Sequence, residues 1–429
     1  MIATIKYPSK EEVAGLIKRP EQGNNAVLKS VQAILYDVAQ KGDAAIRQYT
    51  ELYDKTTPGN MEVPKDVWLK AAGTLDAPLK TAINTAIENI RKFHEAQREE
   101  IKQITTTDGV VCWRKPIAID KVGLYIPGGS APLFSTLLML AVPAVIAGCK
   151  EIIVCTPPDK QGNIHPAILY AAAVTGVHRI FGIGGAQAIA AMGYGTESVP
   201  RVYKIFGPGN SYVTAAKVLL GASGTAIDIP AGPSEVAILA DEQCIPAFVA
   251  ADLLAQAEHG PDSQVLLVTN SNKVIEDVCS AIAEQLQQLP RKDTIQQALN
   301  NSKAVLVNTL AEGMDIINAY APEHLIIATA DAEQQAEQVI NAGSVFIGNY
   351  TPESAGDYAS GTNHTLPTGG HARAYSGVSL DSFVKKITFQ KITPQGLKNL
   401  SPTITQMAMA EGLAAHAASV TIRTNALNQ

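Results

Sequence analysis

Cysteine is scarce and scattered in this chain. The five, Cys112, Cys149, Cys155, Cys244 and Cys279, are odd in number and form no C-x-x-C pair, which argues against a thiolate zinc site and against a disulfide framework. They read as small core residues in a reducing compartment, the cytoplasm. Basic clusters are missing as well. With a formal net charge of −6 and a pI near 5.8, no nucleic-acid partner is expected, and an anionic ligand would have to be held by helix N-termini or backbone amides. The opening MIATIKYPSKEE has no apolar stretch of the kind an export signal needs. One charge-free run, 131–149, is long enough to span a bilayer. Pro143 and Gly148 interrupt it, and a strand-like EIIVCTPP follows at once, so a buried helix is expected and no membrane partner. Two motifs are also absent: there is no complete G-x-G-x-x-G and no G-x-S-x-G nucleophile elbow.

What is present is a long chain, 429 residues and 46% hydrophobic, enough for two or more cores. Helical periodicity runs through 10–17, 26–53 and 77–100. Ser9 and Glu12 have the spacing of a capping box. Ile83, Ala86, Ile90 and Phe93 form one stripe, with His94 at the surface. From Lys121 the texture becomes strand–turn–helix: VGLYIPGG, EIIVCTPP, RIFGIGG and YKIFGPGN, then EVAILAD, QVLLVTN, KAVLVNT, HLIIATA and SVFIG. The alternation predicts an α/β fold with mostly parallel sheets, helices on both faces, and two Rossmann-like domains. A helix is expected over 274–289 and another over 400–418, the latter in a C-terminal tail too small for its own core.

Chemistry concentrates in a few places. Gln256 and His259, in AQAEHG, are three residues apart at the end of a helix and share a face. Two neutral donors there suit a divalent metal; they also suit a surface His favoured by the helix dipole. Asp357 and His364 lie in the polar, Gly-punctuated loop ESAGDYASGTNH, and loops of that length are usually functional. Glu323-His324 precedes a strand and pairs a carboxylate with an imidazole, the types needed to activate water and move protons; an exposed turn pair is the alternative. Three strand-end turns, Gly128-Gly129, Gly182–Gln187 and Gly207–Asn210, fit the crevice where α/β sheets bind nucleotides, although each also serves as a packing turn. Ser234 sits in a further turn, AGPSE, while Glu411 and His416 lie in the tail and His371 is expected in solvent.

Together, AGPSEV, LLAQAEHGPDSQV, APEHLII and TPESAGDYASGTNH resemble histidinol dehydrogenases, and the likeness runs from the N-terminal helices to HAASVTIRTNAL. The resemblance implies NAD-dependent four-electron oxidation of L-histidinol to L-histidine through L-histidinaldehyde, the last step of histidine biosynthesis. It implies a homodimer with sites shared between subunits and one Zn²⁺ per subunit. Carried over by position, the metal ligands are Gln256, His259, Asp357 and His416, the last from the neighbouring subunit. Glu323 and His324 match the catalytic pair. Ser234, His364 and Glu411 match substrate contacts, and Tyr125, Gln187 and Asn210 match NAD contacts. The expected division is a tail element at 1–24, one domain from 25–120 and 231–372, a second from 121–230, and a C-terminal tail at 373–429. A zinc hydrolase using Glu323 as base and a non-catalytic binding module are the rival classes; the first has no need of three Gly-rich strand-end turns, and the second leaves unexplained why ligands and bases are spread over four distant segments.

Overall fold

The computed structural model describes residues 2–19, 25–56, 59–128, 132–229 and 232–427. In chain order, β1 (Ala3–Lys6) leads to α1 (Lys10–Leu16), α2 (Asn25–Lys41), α3 (Asp43–Tyr53), α4 (Lys65–Thr74) and α5 (Ala77–Glu95). A hairpin, β2 (Gln103–Thr107) and β3 (Val110–Ala118), follows. Then come β4 (Lys121–Tyr125), α6 (Phe134–Ala147), β5 (Glu151–Thr156), α7 (Pro166–Thr175), β6 (Arg179–Gly182), α8 (Gly185–Tyr194), β7 (Lys204–Phe206), α9 (Ser211–Gly221) and β8 (Ala226–Ile227). The next stretch holds β9 (Glu235–Ala240), α10 (Pro246–Ala257), β10 (Gln264–Thr269), α11 (Asn272–Leu286), α12 (Lys292–Asn300), β11 (Lys303–Leu306), α13 (Leu310–Tyr320), β12 (His324–Ala328), α14 (Ala332–Ala336), β13 (Ser344–Ile347) and α15 (Glu353–Tyr358). The chain closes with β14 (Val384–Ile392), α16 (Pro394–Ala410) and α17 (Ala414–Ala426).

Two parallel sheets organise residues 1–97 and 119–383. One has the order β6-β5-β4-β7-β8, the other β1-β11-β10-β9-β12-β13. Successive strand residues point to opposite faces, and the cores obey this. Val236, Ile238 and Ala240 of β9 pack with α10 and α11, whereas Ala237 and Leu239 pack with α13. In the five-stranded sheet, Ile152 and Val154 of β5 face α6 and α7, while Ile153 and Cys155 face α2 and α8. Each large aliphatic side chain buried this way stabilises the fold by about 1.5–3 kcal/mol. The charge-free run becomes α6, almost wholly buried, and no helix among the described residues is long and apolar enough to cross a membrane.

The packing redraws the expected domains. Helices α2 to α5, expected with 231–372, instead cover the five-stranded sheet: Val31, Ile34 and Ile46 share a core with Phe181 and Ile189, and Ile83, Ile87 and Ile90 with Leu137 and Val154. The expected tail element at 1–24 contributes an edge strand to the six-stranded sheet, where β1 pairs in parallel with β11. Residues 373–383 also belong to the first unit, where Phe383 stacks on Phe206 at 4.1 Å. The helix expected over 26–53 breaks at Gly42, which has φ +54° and has the Glu197 carboxylate where a Cβ would stand. The one expected over 400–418 is two, α16 and α17, separated at Gly412 with φ +74°. His94 is buried rather than at the surface, and Phe93 is the exposed neighbour.

Residues 98–118 and 384–429 form a second compact unit. It is an antiparallel sheet, β14-β3-β2, with α16 and α17 packed on each other. Trp113 and Phe389 are cross-strand partners whose rings stack at 5.4 Å, a pairing that supports the register. On its surface α16 and the following turn expose Met407, Met409 and Leu413.

Candidate active site

His324 opens β12, flanked by Val236 of β9 and Ser344 of β13. It is buried among carboxylates. Its Nδ1 lies 3.7 Å from Glu323 and 3.8 Å from Glu353, and its Nε2 lies 3.6 Å from Asp357. Burial opposes a charged imidazole, yet Glu353, Glu323 and Asp357 together push its pKa up to about 10. Burial raises the Glu323 carboxyl to about 7 against the pull of His324, and burial likewise pushes Glu353 up. Glu323 is held in turn: its Oε2 accepts from the Glu235 amide at 2.9 Å. The buried Glu235 carboxylate is gripped by Arg19 through two hydrogen bonds of 2.5 and 2.8 Å, with the guanidinium 4.0 Å above the Tyr320 ring.

The candidate metal donors assemble beside this pair. Helix α10 ends at Ala257 and brings Gln256 and His259 to the spot, and α15 supplies Glu353 and Asp357 one turn apart. Ligand atoms of His259, Glu353 and Asp357 all lie within 4.8 Å of one another. Gln256 is fully buried against Glu353: its amide nitrogen faces that carboxylate at 3.1 Å, and its oxygen accepts from the Glu235 amide at 2.7 Å. An excess of buried carboxylates over imidazoles, with His324 Nε2 lacking a hydrogen-bond partner, is the charge balance that a bound divalent cation corrects. Mixed nitrogen and oxygen donors fit Zn²⁺.

Of the expected ligands, then, His259 and Asp357 converge and Gln256 touches the cluster through Glu353. His416 sits on α17 of the second unit with its side chain exposed, as does Glu411 at the end of α16. Ser234 is half-buried just before β9. His364 has both ring nitrogens engaged, Nδ1 with the Asp357 carbonyl at 2.8 Å and Nε2 with Thr136 Oγ1 at 3.1 Å. Because a carbonyl only accepts, Nδ1 carries the proton and Nε2 accepts from the threonine. Burial lowers the pKa of His364 and keeps it neutral. Sequence reasoning missed Glu353 as a donor, reading as loop what is a six-residue helix. Two carboxylates four apart were the available signal. The Arg19–Glu235 clamp, 216 residues apart in sequence, left none.

The strand-end turns border a cleft of about 1400 Å³ at the carboxyl ends of β4, β5 and β6. Tyr125, Gln187 and Asn210 all line it. Tyr125 is buried, with its hydroxyl accepting from the Gly185 amide at 3.0 Å. Asn210 caps α9, accepting from Tyr212 and Val213. Gly207, with φ +125°, lets the next turn pass so close to Tyr125 that a Cβ would strike its carbonyl oxygen. Gly128 is described and lines the cleft, while Gly129 lies outside the described residues. Asp54 Oδ2, Thr156 Oγ1 and Gln187 Nε2 in its lining are buried without hydrogen-bond partners, so the wall offers acceptor and donor capacity that a polar ligand such as a dinucleotide would satisfy. The Glu323–His324 pair, by contrast, lies at the amino ends of its strands.

The sequence profile of the family described as histidinol dehydrogenase matches residues 17–424. A histidinol dehydrogenase of Bacteroides thetaiotaomicron is 57% identical over 427 residues, covering 100% of both chains. One from Escherichia coli K12 is 48% identical over 98% of this chain and 96% of its own. The crystal structure of histidinol dehydrogenase from Elizabethkingia anophelis superposes with a TM-score of 0.97 at 50% identity, covering 100% of this chain and 99% of that one. A match of this depth over the whole length, on a buried Glu-His pair beside a cluster of metal donors, makes the chain a member of the histidinol dehydrogenase family, an oxidoreductase of histidine biosynthesis.

Proposed function

We propose that the chain oxidises L-histidinol to L-histidine in two successive NAD-dependent steps, with one Zn²⁺ per subunit holding the substrate. The observation that carries the reading is the burial of Glu323 and His324 against the donors His259, Glu353 and Asp357. When bound, Zn²⁺ supplies an anchor for the imidazole and amine of the substrate and NAD supplies the hydride acceptor. His324 takes the alcohol proton so that hydride can leave carbon. Neutralising Glu353 and Asp357 removes two of the three charges that hold a proton on His324, which frees its imidazole for this task. Glu323, its carboxyl already raised into the neutral range by burial, activates water for attack on the aldehyde. His324 passes the first proton on to solvent and then takes the second. General-base help of this kind contributes about 10²–10⁴-fold. The buried thiols Cys149 and Cys155 are pushed far up by burial, so neither suits a thiolate nucleophile.

The test is NADH formed per L-histidinol consumed, with and without a chelator. Two NADH are expected, lost on chelation and restored by Zn²⁺, and Glu323→Gln should spare alcohol oxidation relative to aldehyde oxidation. One NADH from the unaltered enzyme would remove the role given to Glu323. None at all would revive the hydrolase alternative.

A further inference from the structure

We propose that Asp54 is the acceptor for the adenosine ribose diol of the dinucleotide and sets the preference of the cleft for NAD over NADP. The inference rests on the NAD reading above. Asp54 follows α3, in the helical layer that covers the five-stranded sheet, and its half-buried side chain forms part of the cleft wall. One carboxylate oxygen accepts from the Gly184 amide, and the other has no partner.

What surrounds it decides the ligand chemistry. Helix N-termini facing a nucleotide cleft usually hold a phosphate on their free amides. Here four of those amides are already engaged: Gly184 donates to Asp54, Gly185 to the Tyr125 hydroxyl, and Tyr212 and Val213 to Asn210. A phosphate at the start of α8 would meet the Asp54 carboxylate beside amides already engaged at Gly184 and Gly185. The groups left open are the Asp54 carboxylate, the Thr156 hydroxyl and the Gln187 amide nitrogen, all without partners. That set complements a vicinal diol, whose two hydroxyls donate to a carboxylate, as acidic residues do in other dinucleotide sites. No residue of the His259–Glu353–Asp357 cluster lines this cleft, so the part of the dinucleotide meeting α8 is the adenosine half, away from the chemistry. The 2′-phosphate of NADP would then stand against the Asp54 charge.

The position is also unusual for the role. In a G-x-G-x-x-G unit the acidic residue comes about 20 residues after the glycines; Asp54 precedes Gly184 in the chain and reaches the turn from a different layer.

The experiment is fluorescence titration of the full chain with NADH and NADPH, for the parent, Asp54→Asn and Asp54→Ser, with thermal melts alongside. Asn keeps an oxygen for the Gly184 amide, and Ser provides a second variant if Asn perturbs the fold. The expected result is NADH binding weakened about tenfold, the loss of a charged hydrogen bond, with NADPH binding unchanged or tighter. Equal weakening of both coenzymes, or no change in their ratio, would overturn the assignment while leaving the NAD reading intact. A parent chain that binds neither coenzyme would overturn the NAD reading and the assignment with it.

Discussion

His94 completes a stripe that the sequence only half announces. Ile83, Ile87, Ile90 and His94 follow one another at four, three and four residues and are all buried, while Phe93 turns outward. Its Nδ1 bonds the Ile90 carbonyl at 2.8 Å and its Nε2 has no partner. Burial holds its pKa below the ordinary 6.5. The unfolded chain therefore takes up this proton first as pH falls, so the stabilising contribution is full above about 6.5 and shrinks below it. A His94→Leu chain should lose less stability than the parent between pH 7.5 and 5.5, the difference reaching at most about 1.4 kcal/mol per pH unit. Urea melts at the two pH values measure it, and parallel losses would show that His94 does not couple to pH. At this scale residue type narrowed the chemistry without deciding it: Glu323-His324 also suited an exposed turn and His259 a surface place beside a helix dipole, while Asp357 stood in a polar loop. Burial was harder to read. A histidine beside a phenylalanine on a helix gives no sign of which one faces inward, and a six-residue helix is easily taken for a loop, which hides the meaning of the four-residue spacing of Glu353 and Asp357.

The strands were legible as elements because both faces of each sheet are covered, which writes long apolar runs such as EVAILA and HLIIA into the chain. The hairpin β2–β3 and strand β14 carry no such runs; their outer positions are exposed, and β14 reaches its partner β3 from far along the chain. Among the turns, Gly207 bears the sharpest requirement. Its φ of +125° and the nearby Tyr125 carbonyl leave no room for a side chain, and its amide and carbonyl are held by the buried Asp228 and Lys217, with bonds of 2.7 and 2.9 Å. Gly207→Ala should displace the turn that carries Asn210 and weaken NADH binding by tenfold or more, a cost of about 1–3 kcal/mol. Titration of NADH fluorescence reads this directly. Unchanged affinity would mean that the turn is not part of the coenzyme site.

For the molecule as a whole, the α/β class was legible and the grouping of helices was not, since the sequence shows which face of a helix is apolar but not which sheet will cover it. The second unit poses a functional question. Glu411 and His416, expected at the site, are exposed there among Met407, Met409 and Leu413, a surface that suits a subunit interface. If two chains share sites, mixing His416→Ala with Gln256→Ala subunits should restore about one quarter of parent activity, because only one site in each mixed dimer is whole. No restoration would place both residues in service of one chain. The pairing of β1 with β11 carries a different kind of consequence, for synthesis on the ribosome. Ala3–Lys6 finds its partner strand at Lys303–Leu306, and Arg19 finds Glu235 and Tyr320. The nascent chain can complete the five-stranded sheet first, while its earliest residues wait for most of the polypeptide to emerge. The Arg19 clamp on Glu235 thus closes late, and a chain cut short leaves its start without a place to bind.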